Sequence, residues 1–160
     1  MLQPDRPIVV HEKDAEVIEG TGMMRLLADA HASGGAMSIS TGVIPAGADG
    51  AKPHFHALSW EVFYLLDGTL EILLGEDVTT VERGGLVAVP PRLPHAFGAA
   101  PGASAEALVF ITPGVDRFDY FRVLPRVLRG ELPAGSLAEM HERYDVHFVE
   151  SPAWEEARKG

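Results

Sequence analysis

Two histidines and a glutamate near the middle of the chain have the residue types and the spacing of a metal site. His54 and His56 are separated by one residue, so both imidazoles can point to the same face of an extended strand. Glu61 follows five residues later, and a short connection over residues 57–59 can bring its carboxylate to face the histidines. His95 follows a proline-rich turn. Three imidazoles and a carboxylate gathered in a small β-barrel would form a metal site.

The elements that must position these side chains are short strands. Residues 61–66 and 69–74 are β-rich runs on either side of Asp67-Gly68, a dipeptide typical of tight turns. The pattern therefore predicts a hairpin whose first arm turns Glu61, Phe63 and Leu65 toward the interior. Further strands are predicted at residues 8–10, 23–28, 36–44, 78–81, 86–89 and 105–112. The prolines of residues 90–94 exclude a central strand there.

A helical region is predicted after the strands. Residues 116–130 have apolar side chains at helical spacing, and we expect Pro125 to kink or divide this helix. A second helix is predicted at residues 136–145 and a final turn at 154–159, and Tyr144 and His147 could cap the barrel mouth. We expect a single domain over residues 1–160, with a β-barrel core at 36–112 and a helical extension at 116–160 that packs on the barrel.

The composition excludes several classes of function. The 160 residues include 13 basic and 23 acidic side chains, and this net charge of −10 argues against nucleic-acid and anionic-membrane partners. The absence of cysteine excludes disulfides and thiolate ligands, so a metal would be held by nitrogen and oxygen. Neither a signal-peptide pattern nor an apolar run near the ~20 residues of a membrane span is present. We therefore expect a cytoplasmic protein with a small-molecule substrate.

The spacing of these residues also matches two motifs of a known family. The first motif is His-x-His, four residues, Glu, six residues and Gly, and it spans residues 54–68. The second is Gly, five residues, Pro-x-Gly, two residues and His, and it spans residues 84–95. The sequence resembles the cupin superfamily, specifically small single-domain cupins of the quercetin-dioxygenase-like type, over about residues 36–112. Ala48, Arg92 and Ala99 replace two glycines and an asparagine that are usual in the family.

The resemblance implies a mainly β fold, a double-stranded β-helix or jelly-roll barrel with a C-terminal helical tail and a metal inside. It implies that one divalent transition metal ion is bound by His54, His56, Glu61 and His95. These ligands suit Fe, Mn, Ni, Co, Cu or Zn and do not choose among them. Four protein ligands on an octahedral ion leave two positions for water, substrate or O₂. Glu61 could instead leave the metal and act as a catalytic base.

Three functions remain open at this point. The first is a dioxygenase-like oxygenase that acts on a small aromatic or enolic substrate. The second is a redox-neutral metal-dependent isomerase, cyclase, decarboxylase or lyase, and the third is a non-catalytic small-molecule-binding barrel. Candidate residues of a substrate pocket are Phe63, Phe97, Phe110 and Arg92, although the aromatic residues also suit a barrel core. We expect a homodimer, because such barrels expose sheet edges that a partner chain can cover.

Overall fold

The computed structural model describes residues 6–160. Those residues form ten β-strands and three α-helices, with short 3-10 helices between some of them. The strands are β1 (Glu16–Glu19), β2 (Met23–Ala28), β3 (Ser38–Ile44), β4 (Asp49–Phe55), β5 (Trp60–Leu74), β6 (Asp77–Glu82), β7 (Leu86–Val89), β8 (His95–Ala99), β9 (Ala105–Thr112) and β10 (His147–Phe148). The α-helices are α1 (Phe118–Leu128), α2 (Ala138–Arg143) and α3 (Pro152–Ala157).

The strands form an antiparallel barrel in which β5 belongs to both walls. The strand order is β1-β2-β3-β9-β5-β8-β4-β10, and β6 and β7 also pair with β5. The first part of β5 pairs with β7 and β9, whereas its last residues pair with β6 and β8. This arrangement confirms the mainly β, double-stranded β-helix fold and its C-terminal helical tail.

The predicted hairpin at Asp67-Gly68 is wrong, because both residues lie inside the single 15-residue strand β5. The pairing of β5 with β9 shifts register between Leu65 and Asp67, which identifies a β-bulge. Gly68 has a φ of 73°, and a Cβ atom at this position would collide with the carbonyl oxygen of Ser104. Glycine is therefore required here by the bulge and by the close approach of another strand.

The bulge also explains how one long strand faces the interior twice. Before it, the buried residues Phe63 and Leu65 occupy odd positions, and after it Leu70 and Ile72 occupy even positions. Without the extra residue, the alternation of a strand would turn the second set outward. The main core is made of Phe63, Leu65, Leu70, Ile72, Val89, Ala99, Ala105 and Ala107.

Three other predictions about elements change in the structure. Residues 8–10 have no regular structure and are exposed, so the predicted strand there is wrong, and the first strand is β1. α1 continues through Pro125 without being divided. The predicted helix at residues 136–145 is a 3-10 helix, Ala134–Leu137, followed by α2. No helix within residues 6–160 is long and apolar enough to cross a membrane.

Candidate metal centre

Three strands bring the four predicted ligand residues to one point inside the barrel. His54 lies near the end of β4, and His56 follows directly after that strand. Glu61 is the second residue of β5, and His95 opens β8, where it is the register partner of His54. All four side chains are buried, and their ligand atoms lie within 4.8 Å of one another. We call these residues the four-residue cluster, and they could hold a metal ion.

The carboxylate of Glu61 lies at the centre of the four-residue cluster. Its Oε2 atom is 2.7 Å from Nε2 of His95, 3.0 Å from Nε2 of His56 and 3.8 Å from Nε2 of His54. The same ring nitrogen of each histidine therefore faces the centre. This convergence is the arrangement that the sequence predicts.

The other ring nitrogen of each histidine contacts a backbone carbonyl. The carbonyl partners and their distances from Nδ1 are Lys52 for His54 (2.6 Å), Asp145 for His56 (2.7 Å) and Leu93 for His95 (2.9 Å). A carbonyl oxygen can only accept a hydrogen bond, so the proton of each neutral ring is on Nδ1. The Nε2 lone pairs are left to point at the centre, which is the tautomer of a metal-bound histidine.

The electrostatics of the cluster favour a cation at its centre. Burial raises the pKa of Glu61, but hydrogen bonds from the three histidines, which require a proton on Nε2 when no metal is bound, outweigh burial and hold the pKa well below its usual range. Burial lowers the pKa of His54, which favours the neutral ring. Neutral Nε2 atoms and a carboxylate are all acceptors, so their close approach is favourable only when a proton or a metal ion lies between them. The residues therefore fit one divalent transition metal ion.

Asp145, which sequence reasoning missed, supports the connection between His56 and Glu61. Its carboxylate accepts hydrogen bonds from the backbone N–H groups of Ala57 (2.9 Å) and Leu58 (3.0 Å). Its own carbonyl accepts the Nδ1 hydrogen bond of His56. Burial raises the pKa of this carboxyl. The hydrogen bonds from the two N–H groups and from His147 lower the pKa by more, so the net shift is downward and the carboxylate is ionised. The helical tail thus holds the loop that aligns the cluster.

The segment after Asp145 lies beside the cluster as β10. Phe148 is the register partner of His54, and the centroids of their rings are 6.0 Å apart. His147, which the sequence suggests as a cap, pairs with Phe55 and stacks on its ring at 4.8 Å. The other suggested cap, Tyr144, is buried among side chains of the helical tail. The aromatic residue beside His54 is therefore Phe148.

Arg117 is a second residue that sequence reasoning missed. It precedes α1 and is only 7% exposed, and its Nε atom has no hydrogen-bond partner within residues 6–160. Burial lowers the pKa of Arg117, and Glu61 is the foremost of the charged groups that raise it. An arginine remains charged in a protein, so a buried cation lies in the field of the cluster. No local motif in the sequence marks this position.

The aromatic pocket candidates lie in two different places. Phe63 is fully buried on the same face of β5 as Glu61, and its ring contacts Phe97 at a centroid distance of 4.9 Å. Phe110 is the register partner of Val62, so it lies on the opposite face of the sheet from Glu61. The structure therefore brings Phe63 and Phe97 to the interior and places Phe110 away from the cluster.

The departures from the family motifs have clear structural settings. Arg92 has a φ of 70°, a conformation that glycine adopts easily, which explains why the family motif has glycine at this position. The side chain of Arg92 is exposed. Its backbone N–H donates to the carbonyl of His56 at 2.7 Å, so the turn still supports the cluster. Ala99 donates its backbone N–H to the carbonyl of Ala48 at 2.9 Å. The three replacements leave the positions of the ligand residues intact.

Comparisons with known proteins agree with this architecture. Residues 41–111 match the family model described as a cupin domain, and no curated protein matches the sequence. An RmlC-like cupin from Shewanella frigidimarina is 17% identical, with 68% of this chain and 93% of that chain covered and a TM-score of 0.59. The polyketide cyclase RemF from Streptomyces resistomycificus is 22% identical, with 68% and 80% covered and a TM-score of 0.57.

A third similar structure is the nucleoside dehydratase Pac13 from Streptomyces. It is 13% identical, with 72% of this chain and 88% of that chain covered and a TM-score of 0.56. These similarities show the cupin fold. Together with the family match, they support the cupin superfamily for this chain.

Proposed function

We propose that the chain is a metal-dependent enzyme that acts on a small organic substrate at the four-residue cluster. The observation that carries this proposal is the convergence of three Nε2 lone pairs and one ionised carboxylate in a buried space. Burying four acceptors without a common cation is costly, and one divalent ion would satisfy all of them. Such an ion would supply Lewis acidity or, with a redox-active metal, chemistry with O₂.

The protein groups around the cluster have defined roles in this proposal. The carbonyl partners of the three histidines fix each ring and its tautomer. Glu61 provides negative charge, and its carboxylate is placed to take a proton from a bound substrate. Phe63, on the same face of β5 as Glu61, packs with Phe97 in the apolar core of the barrel. These features favour a small organic substrate.

An oxygenase of the dioxygenase type is the first candidate for the reaction. Four protein ligands leave two positions on an octahedral ion, which is the number that O₂ and a single substrate oxygen, or a chelating substrate, would use. The apolar residues Phe63 and Phe97 on the interior side of the barrel also suit an aromatic or enolic substrate. The quercetin-dioxygenase-like resemblance of the motifs supports the same chemistry.

A redox-neutral reaction is the second candidate, and the structural neighbours favour it. The names of two neighbours specify a polyketide cyclase and a nucleoside dehydratase. Cyclisation and dehydration need proton transfer and charge stabilisation but no net oxidation, and Lewis acidity with a carboxylate can supply both. A binding barrel without turnover would use the same residues and would show affinity alone.

Oxygen consumption separates these candidates. The metal-free protein is loaded in turn with Fe, Mn, Ni, Co, Cu and Zn, and O₂ uptake is measured with catechol, flavonol and 1,3-diketone substrates. Substrate loss is followed in parallel by mass spectrometry without O₂. We expect turnover that is lost in His95→Gln and kept in His11→Gln, a control at an exposed histidine. Uptake of O₂ supports the oxygenase, anaerobic turnover supports the redox-neutral enzyme, and tight binding without turnover contradicts both.

A further inference from the structure

Arg117 is a buried cation whose guanidinium edge is free. Within residues 6–160 its Nε atom has no hydrogen-bond partner, and the structure shows no ion pair for its side chain. The guanidinium lies over the ring of Phe121, 4.9 Å from the centroid, so its flat face is covered, and the buried Nε atom at its edge is unsatisfied. A buried guanidinium without hydrogen-bond acceptors is unfavourable, which indicates that an acceptor outside the protein chain belongs here.

The carboxylates whose charges act on Arg117 make their hydrogen bonds to other groups. Asp29 accepts the backbone N–H groups of Arg117 (2.9 Å) and Phe118 (3.1 Å), so it fixes the main chain and not the guanidinium. Asp145 is bound to the loop after His56. Glu61 is at the centre of the four-residue cluster. None of these carboxylates makes an ion pair with the guanidinium within residues 6–160, although their charges raise its pKa.

The path of the chain connects Arg117 to the four-residue cluster. β9 ends at Thr112, whose register partner is Trp60, the neighbour of Glu61, and only four residues separate Thr112 from Arg117. From α1, a continuous series of ring contacts leads to the cluster. The successive centroid distances are 5.8 Å for Tyr120–His141, 4.7 Å for His141–Phe148 and 6.0 Å for Phe148–His54. Because Arg117 lies over Phe121, whose ring centroid is 5.9 Å from that of Tyr120, this series of aromatic contacts runs from Arg117 to the cluster.

The unsatisfied guanidinium suits an anionic group. Three neutral imidazoles and one carboxylate would leave a divalent ion with a net charge of about +1, and the charge of Arg117 is offset in part by Asp29 and Asp145, which bind backbone groups and not the guanidinium. We propose that Arg117 binds the carboxylate of the substrate, so that the substrates of this centre are small organic acids. The guanidinium edge matches the two oxygens of a carboxylate and can bind both at once. This assignment rests on the proposed function and names its substrate class.

Binding of a carboxylate probe tests the assignment without any turnover. The Zn-loaded protein is titrated calorimetrically with benzoate, with the neutral analogue benzamide and with inorganic phosphate. We expect benzoate to bind at least about tenfold more tightly than benzamide, because a hydrogen bond to a charged group is worth about a factor of ten or more. In ¹⁵N NMR spectra, benzoate should shift the Nε–H signal of Arg117, identified by its absence in Arg117→Lys.

Two variants and a matched control make the result decisive. Arg117→Met should abolish the preference for benzoate. Arg117→Lys should reduce it, because a lysine ammonium lacks the two parallel N–H donors that bind both carboxylate oxygens. The control is Arg83→Met at an exposed arginine, which should behave like the wild type. An unchanged preference in Arg117→Lys or Arg117→Met overturns the assignment, and so does tighter binding of phosphate than of benzoate. Metal content is measured separately in each protein, so a missing metal refutes the proposed function independently of the benzoate result.

Discussion

Replacing Asp145 tests how the helical tail supports the four-residue cluster. The carboxylate holds the backbone N–H groups of Ala57 and Leu58, and the residue adopts a φ of 55°. Asp145→Ala removes both hydrogen bonds and the 2.9 Å contact with Nε2 of His147, and it places an alanine in the left-handed region. Asp145→Asn keeps one acceptor oxygen, and asparagine tolerates a positive φ better than alanine does.

The size of each effect follows from these contacts. A hydrogen bond to a charged group contributes about 1.5–3 kcal/mol, and Asp145 is only 8% exposed. Two such bonds contribute about 3–6 kcal/mol and the left-handed backbone costs alanine about 1–2 kcal/mol, so we expect Asp145→Ala to lower the free energy of unfolding by about 4–8 kcal/mol. Asp145→Asn should lose about 1.5–3 kcal/mol, since one bond and the backbone conformation are kept. Because the loop aligns His56, metal affinity should also fall, by about 10–100-fold in the alanine variant.

The assays are urea denaturation of the metal-free protein and competition for Zn²⁺ with a chelator of known affinity. Asp119→Ala is the matched control, because Asp119 is exposed and, within residues 6–160, its ion pair is with a surface arginine, so its cost should stay below about 1 kcal/mol. If Asp145→Ala is as stable as this control and binds Zn²⁺ as tightly as the wild type, the loop does not depend on the tail.

Three further predictions concern other parts of the fold. Arg117→Met removes an unpaired buried charge, so it should raise the free energy of unfolding of the metal-free protein by about 1–3 kcal/mol. The Tm should rise by about 2–4 °C per kcal/mol, and a lower Tm would show a structural role for Arg117. Gly68→Ala should lower the free energy of unfolding by at least about 2 kcal/mol in urea denaturation. Gly84→Ala should cost clearly less, because Gly84 also has a positive φ but no atom close to where the Cβ would lie. Equal costs would contradict the close approach at the bulge. We also propose that the expected homodimer forms on the outer face of β5, where Tyr64 is 40% exposed. Sedimentation should show a dimer that Tyr64→Lys converts to a monomer, and a monomeric wild type would refute the proposal.

The candidate metal centre could be predicted because its signals are local. His54 and His56 share a face through strand alternation alone, and the prolines before His95 limit that segment to a turn. Glu61 needed one further assumption, a short connection that resets the alternation, and the structure contains this connection between β4 and β5. Short-range rules were sufficient for each of these positions.

The bulge, Asp145 and Arg117 could not be predicted because their roles depend on distant contacts. An Asp-Gly pair suits a tight turn or a bulge, and only the pairing of β5 with β9 decides between them. Asp145 bonds to a backbone group 88 residues away in the sequence. Arg117 occurs in a segment with ordinary helical spacing, and its burial appears only in the folded structure.

The metal content of the purified protein tests the central claim most directly. The protein is stripped with a chelator, loaded with each of the six candidate metals, passed through a desalting column and analysed by plasma mass spectrometry. We predict about one ion per chain for the wild type and for the exposed-site control His11→Ala. The double variant His56→Ala with His95→Ala should retain almost none while keeping the circular dichroism spectrum of the wild type. A wild type that retains none of the six metals, or a double variant that retains as much as the wild type, would contradict the assignment of the four-residue cluster as a metal centre.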